Sequence, residues 1–476
     1  MLLALPAAAS LVPAHHARAA GPVLGGALPG SPPGPLFPAD NWWSADVSSA
    51  PVDPSSAGFI QFINNCASCC PAGRRLHPDF GGDVSPGSVQ TYGIPYAVVD
   101  GTQPKRSVIF QYSDESDGVD HATDTSFPFY PLPDEAITQP HWVEGGDPAS
   151  VDLRSQQDRH LIVVDRDHRY LYELWNVWYD SAHAQWHAGS GAFFDMNTNG
   201  RRPETWTSAD AAGLAILPGL VRYDEVYASD PADAIPHALR VTVRDTNGHV
   251  YPASHSAGSR SGAPPMGTRL RLKASKDLSG FSPEIRRIFT TMKKYGLIVA
   301  DNGSDMFITG TYDPRWNNDV LNPAFAQLTA CDFEVVQLGW QPPPGVRVAV
   351  NQATFAVGQT LTTSVQLTDP RFPAAADLYL GFILPDGHTL VFLTSAGAMV
   401  FGDTGSVASF RALATGVSLA GPAPGIVPTF SYQWMGTEPR GTYQFALLAV
   451  KPGALADGVL GADEIIVLVT APFAFP

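Results

Sequence analysis

Charged side chains and cysteines are scarce in this sequence of 476 residues. Lys, Arg, Asp and Glu make up 16% of the chain, whereas about 25% is usual for soluble domains. Because the net charge is −16 and phosphates are bound by clustered cations, we expect no nucleic-acid partner. After the N-terminal segment no apolar run reaches the roughly 18 residues of a membrane span, so no membrane insertion is expected.

Glycine and proline, in contrast, are abundant, at 44 and 43 residues. They indicate many turns and much β-structure. Hydrophobic residues make up 44% of the chain, which is enough for a packed core. At roughly 100–200 residues per domain, the length predicts two or three domains.

The N-terminus, MLLALPAAASLVPAHHARAAG, predicts export. Residues 2–12 form an apolar run of signal-peptide length, and Ala17-Arg18-Ala19 resembles a cleavage site. We therefore predict a signal peptide at 1–19 and a secreted or cell-surface protein, with a disordered Ala-rich tail as the alternative. Residues 20–38, rich in Gly, Pro and Ala, are predicted to be a linker.

The few cysteines can form disulfides in an exported chain. The stretch NNCASCC offers a short-range bridge, and Cys331 could pair with Cys69 or Cys70. Four cysteines allow three full pairings, and these stay open at this point. A zinc site is the alternative for Cys66 and Cys69, but this C-x-x-C has no second pair at a suitable spacing.

Three helices are predicted from capping residues and apolar periodicity. The first covers 53–64 with Asp53 as its cap, and the second covers 208–217 with Ser208 as its cap. The third, at 282–296, has the strongest signals, because SPE opens it, two lysines lie in its last turn and a glycine ends it.

Strand signals surround these helices. Residues 160–164 and 170–178 predict a hairpin, and the alternating run 239–243 predicts a half-buried strand. The run 297–310 predicts strand, turn and strand, with Asn302-Gly303 in the turn. The first domain is therefore expected to be α+β, mainly β with a few helices, around a β-sandwich or barrel-like core.

A proline run separates the two predicted domains. Residues 39–340 form the main candidate catalytic domain, and 341–345 form a Pro-rich linker. Residues 346–476 contain about seven short alternating strands, which fits a β-sandwich. The stretch MGTEPRGTYQFALLAVKPGALADG resembles the end of the immunoglobulin-like domains appended to bacterial surface and secreted proteins. That resemblance implies an accessory module.

Carboxylates and tryptophans are interleaved between residues 158 and 305. Sugar rings stack on indoles, and paired carboxyl groups act at a glycosidic bond. Glu173 is the predicted acid, because strand alternation places it on one face with Leu171 and Trp175, where burial raises a carboxyl pKa. The alternative is an edge-strand glutamate paired with an arginine. The candidate substrate-binding residues are Trp175, Trp206, His160 and Asp301.

The partner base or nucleophile is predicted to be Asp195 or Asp224. Asp224 and Glu225 are adjacent and diverge, so only one of them can share a site with His237. His237 would orient an acid, act as a base or bind a metal. The alternatives are acids that cap a turn and a structural histidine.

No cofactor or metal is predicted outright. The acidic stretch DESDGVDHATD could hold calcium through its carboxylates, but it lacks the EF-hand pattern and also suits a solvated loop. His237 and His255 with Asp224 or Glu225 match no compact metal motif. Ser190 between two glycines predicts a turn before a strand.

Residues from about 36 to 336 resemble an uncharacterised family of exported bacterial proteins. The similar stretches are LFPADNWW, RLHPDFGG, WTSADAAGLAILPGLVRYDEV, IPHALRVTV, MGTRLRLKAS and YGLIVADNGSDMFITG. The resemblance implies a shared fold and brings no activity or catalytic residue.

The sequence thus predicts an exported carbohydrate-active protein, a glycoside hydrolase that uses paired carboxylates. The alternatives are a non-catalytic polysaccharide-binding or cell-surface protein and, third, a calcium- or zinc-dependent enzyme. Two carboxyl groups converging in one cleft would favour the hydrolase.

Overall fold

The structure is a computed structural model that divides into two compact units, Met1–Gln341 (unit 1) and Pro342–Pro476 (unit 2). It describes residues 21–29, 35–38, 41–66, 68, 70–81, 92–228, 234–342, 346–352, 354–367, 375–417, 427–461 and 464–476. The predicted signal peptide lies outside these residues, and so does Cys69. Strands predominate in both units, so the prediction of a mainly β protein is confirmed. Among the described residues, no helix has the length and apolarity needed to cross a bilayer.

Short strands and helices make up unit 1. The helices are α1 (Ser56–Asn64), α2 (Glu135–Thr138), α3 (Tyr223–Val226), α4 (Pro283–Lys294) and α5 (Asn318–Phe325). The strands are β1 (Val23–Leu24), β2 (His77–Asp79), β3 (Tyr96–Val99), β4 (Val108–Phe110), β5 (Val119–Asp120), β6 (Thr125–Ser126), β7 (Leu161–Asp165), β8 (Tyr170–Trp175), β9 (Trp178–Asp180), β10 (Gln185–Ala188), β11 (Ser190–Asp195), β12 (Leu239–Val243), β13 (Arg269–Leu272), β14 (Leu297–Asn302), β15 (Phe307–Thr309) and β16 (Phe333–Val335).

The first sheet of unit 1 has the order β1-β3-β7-β8-β11. Strands β7 and β8 pair antiparallel with Leu161 opposite Leu174, so the predicted hairpin is confirmed. The side chains of β8 alternate between two hydrophobic clusters, because Leu171 packs in one and Tyr172 and Leu174 pack in the other. This sheet is therefore covered on both faces.

The predicted linker at 20–38 belongs to this sheet, which corrects that prediction for its described part. Val23 and Leu24 form β1 and pair with β3. Leu28, Leu36 and Phe37 are buried against the same cluster as Leu171. Apolar side chains in the Gly- and Pro-rich segment anchor it to the core.

The second sheet has the order β16-β13-β14-β12-β15-β2. Strand β12 lies between β14 and β15, parallel to the first and antiparallel to the second. The strand, turn and strand predicted for 297–310 are therefore confirmed, as β14, a turn and β15. The two strands pair with β12 and not with each other, and Asn302 belongs to β14, so the predicted Asn302-Gly303 turn is wrong. Between β14 and β15, Met306 adopts a left-handed backbone conformation, with φ of 64°. A tight Asn-Gly hairpin turn would instead need positive φ at both of its central residues. The turn residues instead bond to β12, since Met306 N–H donates to the Thr242 carbonyl.

Helix α4 covers this second sheet and confirms the third predicted helix. It begins at Pro283 and buries Ile285, Ile288, Phe289 and Met292. Helix α1 begins at Ser56, later than predicted, because the Asp53 carboxylate bonds to the amides of Ser55 and Leu338.

The predicted helix at 208–217 does not form. The Ser208 hydroxyl bonds to Asp210 N–H and to the Leu214 carbonyl, which offers the backbone an alternative to helical bonds. Gly213 then takes a left-handed φ of 72°, and a 3-10 turn follows at Leu217–Gly219. The resulting irregular segment, residues 206–211, contacts both sheets, because the Ser208 carbonyl accepts from Ser190 of the first and Asp210 accepts from Arg240 of the second.

Unit 2 is built from two antiparallel sheets. Its strands are β17 (Val346–Val350), β18 (Thr360–Leu367), β19 (Ala376–Ile383), β20 (Thr389–Leu393), β21 (Met399–Asp403), β22 (Ala414–Val417), β23 (Val427–Gln433), β24 (Gly441–Val450) and β25 (Ile465–Phe475). One sheet is β17-β18-β23, and the other is β21-β20-β19-β24-β25 with β22 beside β19. Leu361, Phe445 and Phe473 contribute to one core that both sheets share.

A disulfide joins Cys70 to Cys331, which resolves the open pairing of Cys331. Cys66 is disulfide-bonded as well. The Cys70–Cys331 bond connects the segment after α1 to the turn before β16, across 261 positions of sequence.

We expect the double variant Cys70→Ser/Cys331→Ser to lower the free energy of unfolding of unit 1 by about 2–5 kcal/mol, because a long closed loop is released in the unfolded chain. Differential scanning calorimetry measures this loss. Unit 2 contains no cysteine, so its transition serves as the internal control. An unchanged unit 1 transition would contradict a stabilising role for the bond.

Candidate functional site

A cleft of about 370 Å³ opens in unit 1 where the end of β8, the end of β14 and residues 206–211 meet. Its lining combines aromatic rings with acidic and small polar side chains. The lining residues are Tyr112, Glu115, Asp158, Trp175, Ser190, Thr207, Ser208, Ala209, Asp210, Ala211, His255, Ala257, Asp301 and Asn302. Two of the predicted site residues, Trp175 and Asp301, are therefore brought together.

Aromatic rings form one part of the cleft wall. Trp175, the last residue of β8, stacks on Tyr112 with 6.4 Å between ring centroids and 24° between planes. The indole also lies against the backbone of Gly189, because a Cβ atom there would sit 2.2 Å from Trp175 Cε3. The Trp175 indole N–H makes a long bond of 3.5 Å to the Asp158 carboxylate. Tyr112, Gly189 and Asp158 thus fix the orientation of the ring.

Acidic residues held by Arg240 form another part of the wall. Arg240, on β12, donates two bonds of 2.7 Å to Asp210 and one of 3.0 Å to Asp301. Its third nitrogen donates to the Thr309 hydroxyl at 2.8 Å. Asp301 reaches the same guanidinium because β14 is the parallel neighbour of β12. One buried arginine therefore sets the position of both aspartates.

Asp301 is the titratable group of the cleft with the most shifted pKa. Burial raises the pKa of Asp301 to about 7, Arg240 opposes this shift, and the charges of Asp210 and Asp158 add to it. The Asp301 side chain keeps 29% of its surface exposed. Near neutral pH the cleft consequently contains a carboxyl group that can hold a proton and still reach a ligand.

His160, predicted to bind substrate, lies behind the cleft and does not line it. Its Nδ1 is 2.5 Å from Glu144, and its Nε2 is 3.0 Å from the carbonyl of Ala209, a lining residue. Burial alone would lower the pKa of His160, but the Glu144 carboxylate raises it to about 9. The protonated ring therefore donates to both partners and fixes Ala209.

Glu173, the predicted acid, also lies outside the cleft lining. It is 0% exposed, and its carboxyl oxygens accept from the backbone amides of Ile216 and Leu217 at 2.8–3.0 Å. Burial raises the pKa of Glu173 to about 7, against the lowering effect of these two amides. The pKa of Glu173 is thus raised, as the sequence predicted, but its carboxyl group stabilises the 3-10 turn at Leu217–Gly219.

The other predicted acids occupy separate places. Asp195 ends β11, and its carboxylate accepts from the Asn197 amide at 2.9 Å, which makes it a turn cap. Glu225 is buried between Arg222 and His237, whose Nε2 is 3.2 Å away. Burial alone would raise the pKa of Glu225, but Arg222 and His237 hold it below its ordinary value.

Asp224 diverges from Glu225, as the sequence predicted for adjacent acids. Its side chain is 46% exposed and lies 4.0 Å from Arg222. Asp224, Glu225 and His237 do not belong to the cleft lining. Trp206 is next to the lining residue Thr207 but packs against other groups, with its ring 5.0 Å from His121 and 5.2 Å from the Arg202 guanidinium.

The acidic stretch considered for calcium is engaged with the protein. Asp117 pairs with Arg202, Asp120 accepts from the Ala122 amide at 3.0 Å, and Glu115 accepts from the Thr207 amide at 2.8 Å. Within the described ranges, no group of three His, Cys, Asp or Glu residues is arranged to hold a metal ion.

Sequence reasoning did not assign Tyr112, Asp158, Asp210 and Arg240 to a site, and it considered Glu115 only within the acidic stretch for calcium. Arg240 gave a usable signal, because an arginine inside the alternating run LRVTV must find a partner when the strand is buried. The others lie in turn-rich segments whose neighbours are set by the tertiary fold.

Replacing Glu173 by Ala is expected to lower the free energy of unfolding by about 2–4 kcal/mol, because two buried amides lose their acceptor. Thermal or urea denaturation measures this loss.

The matched variant is Asp301→Asn. The pKa of Asp301 in the folded protein, about 7, exceeds its ordinary value of 3.8. Its contribution to stability is therefore full below pH 3.8 and is lost as the pH rises to about 7. Asp301→Asn is thus expected to gain stability relative to wild type between pH 5 and pH 8. A loss in Asp301→Asn as large as that in Glu173→Ala would contradict the assigned roles.

Neither a protein-family model nor a curated protein matches this chain. The functional assignment therefore depends on the geometry of the cleft.

Proposed function

We propose that this protein is an exported carbohydrate-active enzyme, a glycoside hydrolase whose active site is the cleft of unit 1. One observation carries the proposal: a partly exposed carboxyl group with a pKa of about 7, Asp301, lines one cleft with an ionisable partner, Asp158, and a stacked Trp175–Tyr112 wall. Such a combination suits a sugar ring and the acid chemistry of its glycosidic bond.

Asp301 is the proposed general acid. When it is protonated, it donates to the glycosidic oxygen as the bond from that oxygen to the anomeric carbon breaks. Asp158 is the proposed second carboxylate, because it is exposed and its charge acts on Asp301. It takes a proton from the attacking water or bonds to the anomeric carbon itself, and the separation of the two carboxyl groups in the substrate complex decides between these routes.

Arg240 and Asp210 are proposed to act as positioning residues. The bidentate Arg240–Asp210 pair is almost fully buried, with side chains 5% and 1% exposed, so its geometry is set by packing. It binds one carboxyl oxygen of Asp301, and the other oxygen accepts from the Asn302 amide at 2.7 Å. The exposed 29% of the Asp301 side chain is the part that a substrate can reach.

Export and the role of unit 2 complete the proposal. The N-terminal apolar run supports a secreted or cell-surface location, and the Cys70–Cys331 disulfide fits an oxidising compartment. Two antiparallel sheets over one core, together with the resemblance in the last quarter of the chain, support an immunoglobulin-like accessory module for unit 2.

A non-catalytic polysaccharide-binding protein is the second candidate. The observation that favours it is the Trp175–Tyr112 stack, which provides a surface for a sugar ring without any need for the carboxyl groups. Binding of an oligosaccharide with no release of reducing ends would select this candidate.

On a panel of plant and microbial polysaccharides, we expect release of reducing ends to fall by about 10²–10⁴-fold in Asp301→Asn, since general acid catalysis typically contributes that much. We expect wild-type kcat/KM to decline as the pH rises through about 7, because Asp301 loses its proton there.

Asp195→Asn is the matched control, because it removes a carboxylate that caps a turn outside the cleft. It is expected to keep wild-type activity. Full activity in Asp301→Asn, or equal losses in both variants, would refute the proposed acid.

Gly189→Ala is expected to weaken oligosaccharide binding at least about tenfold, because its Cβ atom would displace the Trp175 ring. Trp175→Ala should weaken binding at least as much. Isothermal titration calorimetry with non-hydrolysed oligosaccharides checks both variants, and unchanged affinity in Trp175→Ala would show that sugars bind elsewhere.

A further inference from the structure

The cleft is lined by acidic side chains, and few cationic side chains lie at its surface to neutralise them. Four of its lining residues are acidic, namely Glu115, Asp158, Asp210 and Asp301, and none of the lining residues that the structure describes is Lys or Arg. The cations next to the lining are buried and paired, since Arg240 binds Asp210, Arg202 binds Asp117 and the protonated His160 binds Glu144. A ligand in the cleft therefore meets carboxylates and not guanidinium groups.

Asp158 and Glu115 are the carboxylates left to face a ligand. Asp158 is exposed, and its carboxylate accepts the long hydrogen bond from the Trp175 indole. Glu115 accepts from the Thr207 amide and lies 4.0 Å from His255 Nε2. Both carboxylates can accept further hydrogen bonds, because an ionised carboxylate has about four acceptor sites.

An unpaired acceptor lies in the same lining. Asn302 donates to the Ala257 carbonyl at 3.1 Å, while its Oδ1 is buried without a hydrogen-bond partner among the described residues. A buried acceptor is stabilised by a donor. The lining consequently offers acceptors from Asp158, Glu115 and Asn302 to a bound ligand.

We infer that the cleft selects glycans whose sugar units carry a free amino group, such as polymers of glucosamine, and rejects uronic acids and phosphorylated sugars. This inference rests on the proposed function. The C–H face of the ring stacks on Trp175, and its ammonium donates to the Asp158 carboxylate. An anionic sugar meets repulsion from Asp158 and Glu115 in the same place.

The experiment compares four hexasaccharides by isothermal titration calorimetry in a mildly acidic buffer in which the amine is protonated. The probes are the hexamers of glucosamine, N-acetylglucosamine, glucose and galacturonic acid. We expect the glucosamine hexamer to bind at least about tenfold more tightly than the N-acetylglucosamine and glucose hexamers, and the galacturonic acid hexamer to show no binding.

Three variants separate recognition in the cleft from the general attraction of a polycation to an acidic protein. Asp158→Asn is expected to reduce the preference for glucosamine to near onefold, whereas Asp195→Asn, outside the cleft, retains it. Trp175→Ala is expected to weaken all bound hexamers by a similar factor. A preference that survives in Asp158→Asn would overturn the inference.

The outcomes also separate this inference from the proposed function. If neutral and amino-sugar hexamers bind equally and Trp175→Ala abolishes both, the amino-sugar inference is wrong and the carbohydrate site stands. If the galacturonic acid hexamer binds most tightly, the inference is likewise overturned. If no hexamer binds to protein whose calorimetric unfolding transition is intact, both proposals fail.

Discussion

The buried guanidinium of Arg240 is the contact on which the cleft depends. It joins β12 to Asp210 in the irregular segment, to Asp301 on β14 and to Thr309 on β15. Removing a guanidinium from water costs several kcal/mol, so the charge is tolerated only while its partners stay in place. The fold must therefore bring these residues together, and in doing so it forms the acidic part of the cleft wall.

Two carboxyl groups with a pKa of about 7 show how the surroundings decide a role. Burial raises the pKa of Glu173 and Asp301 alike. The oxygens of Glu173 are occupied by backbone amides and have no exposed surface, so this group stabilises a turn. The oxygens of Asp301 accept from Arg240 and from the Asn302 amide, but its side chain is partly exposed. A raised pKa thus shows only that a carboxyl group is buried. Whether the group can react depends on its accessibility to a ligand.

Much of the local structure could be predicted from the sequence. The hairpin of β7 and β8 and the helix α4 follow from alternation and capping, and Trp175 and Asp301 were found as candidates because acids and indoles cluster in that region. The position of β12 between β14 and β15 could not be found locally, since strand pairing joins segments more than 50 residues apart. Tyr112 and Glu115 likewise enter the cleft through contacts with distant residues, Gly189 and Thr207.

A crystal structure of the Asp301→Asn protein with a bound oligosaccharide tests the central claim most directly. The account predicts a sugar ring stacked on Trp175, with its glycosidic oxygen within hydrogen-bonding distance of residue 301 and with Asp158 facing the anomeric carbon. An oligosaccharide bound only outside the cleft, or in the cleft with residue 301 out of reach of any glycosidic oxygen, would contradict it.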